Sequence, residues 1–93
     1  MTPDQLRRTI CRRLAGPLKD FPWRIEAMAD DPYSLAIGIF NVPPEDEERV
    51  TRTILDLDWE LCQNSLFGIA PVLRDPETTR VYYPQLASRV KAS

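Results

Sequence analysis

The chain has 93 residues, 43% of them hydrophobic and 28% charged, with 12 basic and 14 acidic side chains and no histidine. That length makes one domain near the lower end of independent folding, and apolar runs recurring along it argue against disorder. A net charge of −2 favours neither nucleic acid nor membrane overall, and a chain without histidine lacks the commonest general base, metal ligand and pH switch.

In chain order, Thr2-Pro3-Asp4-Gln5 predicts a helix start: Thr can cap, Pro suits the first helical position, and Gln can reach back to the cap. Leu6, Ile10 and Leu14 then share one face with Cys11 at its border, Arg8 and Arg12 point away, and Arg7 and Arg13 flank the stripe. Gly16-Pro17 stops this helix. The alternation of Trp23, Ile25 and Ala27 with Arg24, Glu26 and Met28 predicts a strand over 23–29. Asp30-Asp31-Pro32 reads as a turn into a second strand over 33–40, so the two strands form an antiparallel hairpin. Tyr33, Leu35, Ile37 and Ile39 share one face of that strand, and the small residues Ser34, Ala36 and Gly38 share the other.

Residues 43–64 read as a long helix with an acidic head, Glu45 to Glu48, which complements the positive end of the helix dipole. It carries two apolar stripes. Val50, Ile54, Leu57 and Leu61 form one, and Leu55, Trp59 and Cys62 form the other. Residues 66–73 read as a third strand, at an edge or bulged because Pro71 cannot donate a ladder hydrogen bond. A turn over 75–78 leads to a fourth, β-prone strand over 79–83, and Pro84 opens a short last helix with Leu86 and Val90 spaced to dock on the body. The expected fold is an α+β two-layer sandwich. Its four-stranded antiparallel sheet is built from two hairpins, with two main helices on one face and a short C-terminal helix, in the order α-ββ-α-ββ-α.

Little in the pattern carries catalysis. Ser–His and Cys–His pairs are impossible without histidine, and Cys11 and Cys62 have neither metal-ligand nor redox spacing. Asp56, Asp58 and Glu60 turn to different sides of a helix, and isolated Gly16, Gly38 and Gly68 match no phosphate-cradling motif. No catalytic residue, metal site or cofactor is therefore assigned, and the chain is read as a non-enzyme; a small carboxylate-based enzyme is the more distant alternative.

Interaction is the better reading. The second stripe of the long helix needs a cover. Either the first helix supplies it, or Leu55, Trp59 and Cys62, with Arg52 beside them, meet a protein partner or a second copy about a two-fold axis. Ser34, Ala36 and Gly38 form another candidate contact, where short side chains let a backbone approach. A nucleic acid or acidic partner would instead use Arg7, Arg8, Arg12 and Arg13, since residues 1–24 hold six basic and two acidic residues against six and twelve in 25–93. The same arginines interrupt what would be the apolar core of a signal peptide, and the near-apolar run 35–40 is far short of the about 20 residues that span a bilayer. The expectation is a small accessory, adaptor or chaperone-like module of the cytoplasm, homodimeric and without a membrane segment.

Overall fold

A computed structural model describes residues 2–28, 31–63 and 65–87. Helix α1 spans Pro3–Leu14. Its start is a reciprocal cap: the Gln5 amide donates to Thr2 Oγ1 at 3.1 Å and the Thr2 amide donates to Gln5 Oε1 at 2.9 Å. Strand β1 (Trp23–Met28) pairs antiparallel with β2 (Asp31–Ile39), with Trp23 opposite Ile39 and Ile25 opposite Ile37. Asp31 and Pro32 belong to β2 rather than to the turn, while Asp30 and Ala29 lie outside the described residues.

After a single 3₁₀ turn at Pro44–Asp46, α2 runs over Glu47–Cys62. Strand β3 (Gly68–Leu73) then lies parallel to β2, from Ser34 opposite Gly68 to Ile39 opposite Leu73. Short helices α3 (Pro76–Tyr82) and α4 (Pro84–Ala87) follow, and Val90 lies outside the described residues.

Among the described residues the architecture is thus α+β, with a three-stranded mixed sheet in the order β1-β2-β3 and four α-helices. The four-stranded antiparallel sheet of two hairpins is overturned on two counts. First, a 16-residue helix rises about 24 Å, which carries the chain from the end of β2 back to its beginning, so the next strand starts where β2 starts and pairs parallel. Second, residues 79–82 are helical despite their β-prone composition. The Thr78 amide donates to Asp75 Oδ1 at 2.7 Å, Pro76 occupies the first turn, and Thr79 Oγ1 donates to the Asp75 carbonyl at 2.8 Å. A good cap and a preset proline outweigh the weak strand preference of a short segment. Strand β3 is an edge strand, which is where Pro71 is tolerated.

The core joins both main helices to one sheet face. Leu6, Ile10 and Leu14 of α1, Val50, Ile54 and Leu57 of α2, and Leu35, Ile37 and Ile39 of β2 form one cluster with Ile69. On the opposite face Phe40 is fully buried against Tyr83, ring centroids 4.8 Å apart, so the C-terminal segment covers part of that face. Between Phe40 and Val42 the chain turns through Asn41 at φ 61°, a left-handed conformation that Asn tolerates better than most residues. The Asn41 amide donates to the buried Thr79 hydroxyl at 2.7 Å, which ties α3 to the end of β2. No helix among the described residues is long and apolar enough to cross a membrane.

Candidate functional site

The two stripes of α2 have different fates. Val50, Ile54 and Leu57 are buried with the stripe of α1, so α1 is fully used on the core and does not cover the second stripe. Leu55 is 50% exposed and Trp59 69% exposed, one helical turn apart. Cys62 does not join them: it is only 7% exposed and belongs to the core cluster, against which Phe67 packs after the helix has ended. Burial, with the Asp58 carboxylate nearby, pushes the Cys62 thiol up to about 11, so it is protonated and inert at neutral pH. Asp58 itself accepts from the Ile69 amide at 2.8 Å and fixes the start of β3 to α2.

Around the exposed pair the helix is charged. At 100° per residue, Glu48, Arg52, Leu55 and Trp59 fall within about 60° of one another on the side away from the core. Arg52, Glu48 and Asp56 form no ion pair among the described residues. Arg49 is engaged elsewhere, with Asp46 Oδ1 at 3.3 Å and its guanidinium 5.8 Å from the Phe21 ring centroid. Glu47, Glu48, Thr51, Arg52, Leu55 and Asp56 line a shallow groove along this side. No family model, curated protein or solved structure matches the chain.

The basic side of α1 is narrower than its four arginines suggest. Arg13 reaches across to α2 in a two-pronged contact with Glu60, Nη2 to Oε1 at 2.8 Å, and that contact holds the Glu60 carboxyl below its ordinary range. Arg8, Cys11 and Arg12 are exposed and Arg7 is half-buried.

The small-residue face of β2 is occupied by this chain's own side chains. Ser34 is half-buried, and Ala36 and Gly38 are buried. A Cβ at Gly38 would sit 2.7 Å from Arg74 Nη1 and 2.9 Å from Glu26 Cδ, so the missing side chain is what lets this pair lie across the strand. Here lies the group that sequence reading missed: Arg24, Glu26 and Arg74 gathered beside Phe40 and Tyr83. Strand alternation puts Arg24 and Glu26 on one face, but nothing in the linear pattern brings residues 40, 74 and 83 to them. Among the described residues no group of three or more acidic or cysteine side chains is spaced to hold a metal ion.

Proposed function

We propose that the protein is a non-catalytic interaction module whose contact surface is the outer side of α2, and that the occupant is a second copy of the chain. The observation that carries this is the exposure of Trp59 and Leu55 on one side of a helix whose other apolar stripe is buried. An indole anchor beside an arginine is the usual make-up of an interface centre. The charges suit an isologous contact. Arg52 and Trp59 lie at equal distances, about 5 Å along the helix, from the point between Leu55 and Asp56. If two α2 helices cross antiparallel about a two-fold axis there, each Arg52 meets the indole of the other copy and the two Leu55 side chains meet near the axis. The cation–ring contact occurs twice, each contributing about 0.5–2 kcal/mol.

Sedimentation equilibrium tests this. The wild-type chain approaches dimer mass at micromolar concentrations, whereas Leu55→Glu/Trp59→Glu stays monomeric with an unchanged circular dichroism spectrum and melting temperature. A wild-type chain that remains monomeric into the high micromolar range refutes the self-association.

A second reading has one observation in its favour: Arg8 and Arg12 lie exposed on α1 and form no ion pair among the described residues. Nucleic acid or an acidic partner bound there would dissociate steeply with salt and would not bind an Arg8→Glu/Arg12→Glu variant.

A further inference from the structure

The charged group on the sheet face away from the main helices is unbalanced. Arg24 of β1 and Arg74, just past β3, converge on one carboxylate, Glu26. They share it unequally. Arg24 Nε donates to Glu26 Oε2 at 2.8 Å, whereas Arg74 Nη1 reaches the two carboxylate oxygens only at 3.3 and 3.4 Å. Yet it is the Arg74 side chain that is withdrawn from water, 19% exposed against 53% for Arg24. Two positive charges therefore share one negative charge, and the less screened of the two has the weaker bond.

Aromatic rings hold the pair in place without neutralising it. The Phe40 ring centroid lies 5.2 Å from the Arg24 guanidinium carbon and 4.9 Å from that of Arg74, and the Tyr83 centroid lies 5.6 and 5.2 Å from the same atoms. A ring face attracts a cation but accepts no full charge. The remaining guanidinium donors are not sealed in. The Arg24 side chain is more than half exposed, and no buried side-chain nitrogen of the less exposed described residues lacks a hydrogen-bond partner, so Arg74 donors without a protein acceptor also reach solvent.

We propose that Arg24 and Arg74 form a receptor for an oxyanion, a carboxylate or phosphate group that docks on the solvent-reaching donors of the two guanidiniums. Such an anion supplies the missing negative charge, and planar guanidiniums preset by ring contacts suit its paired oxygens. Glu26 and Gly38 are positioning residues: one spaces the two arginines, the other leaves the room in which they lie.

The test is a titration of the full chain with inorganic phosphate, and separately with acetate, against sodium chloride at matched ionic strength. The signals to follow are the Arg24 and Arg74 Nε–Hε resonances and the Gly38 amide. Saturable shifts with at least one oxyanion are expected, and the tighter of the two assigns the class. Binding weakens roughly ten-fold or more in Arg24→Gln, a loss typical of one charge-assisted hydrogen bond at a half-exposed site. Arg74→Lys, which keeps the charge but loses the fork, weakens it similarly. Shifts that chloride reproduces, or binding that survives both substitutions unchanged, overturn the proposal.

Discussion

Thr79→Val is the most searching test of how the C-terminal segment is held. Valine keeps the shape and most of the helix propensity of threonine but deletes the hydroxyl. In the native chain that hydroxyl is fully buried, accepts the Asn41 amide at 2.7 Å and donates to the Asp75 carbonyl at 2.8 Å. The second bond is dispensable, because the Asp75 carbonyl also accepts from the Thr79 amide at 2.9 Å. The first has no substitute: Asn41 is held in the left-handed conformation and its N–H would face a methyl group. An orphaned amide costs about 1–3 kcal/mol, and half-burial of Asn41 places the loss toward 1–2. For a domain of this size about 1 kcal/mol moves the melting temperature by roughly 4–8 °C, so the variant should melt about 5–15 °C below wild type. Thr79→Ser is the control. It also loses stability, about 1 kcal/mol for a deleted methyl group, but keeps the acceptor. Thermal unfolding by circular dichroism measures both, and hydrogen exchange at the Asn41 amide separates them: protection should be lost in Val and kept in Ser. Wild-type melting with a protected Asn41 amide in Thr79→Val would refute the reasoning.

Gly38→Ala should push the ends of the Arg74 and Glu26 side chains aside, a small cost for flexible side chains that the stiffer unfolded chain offsets by about 0.4–1 kcal/mol, so urea denaturation should show a change within about 1 kcal/mol while the Arg74 Nε–Hε resonance shifts. Asp75 accepts from the Thr78 amide, which lowers its folded-state pKa, so its contribution is present above the ordinary aspartate range and lost as pH falls through the lowered value. Acid titration of stability should reveal this in wild type and less of it in Asp75→Asn, which caps without titrating. Of the two thiols, exposed Cys11 should react quickly with a thiol reagent at pH 8, while Cys62, pushed up to about 11, reacts only on unfolding.

Much of the fold was legible where one period dominates. The stripe Leu6-Ile10-Leu14, the hairpin alternation and the Val50-Ile54-Leu57 face all pack as their spacing implies. The strand expected over 79–83 is not formed, although Thr79 to Tyr83 looks β-prone. Asp75-Pro76 is the same kind of helix start as Thr2-Pro3, and it decides the outcome. Parallel pairing of β3 followed from the length of α2, which fixes the end of the sheet at which the chain re-enters. Of the surface residues, the shared side of Leu55 and Trp59 follows from helical spacing, but that this side stays uncovered and that Cys62 leaves it for the core depend on tertiary packing, which local periodicity cannot see. The Arg24–Glu26–Arg74 group draws on separate strands and is a product of topology alone.

Strand β3 also disarms its own free margin. The Arg74 amide donates inward to the Ile39 carbonyl, so by alternation residues 69, 71 and 73 direct their amides outward. Of these, the Ile69 amide is taken by Asp58, and Pro71 has none to offer. A foreign strand approaching that side would find one donor, at Leu73, where a ladder needs a row of them. Edge-to-edge growth of the sheet, the first step toward fibrils, is disfavoured there by one carboxylate and one imino acid.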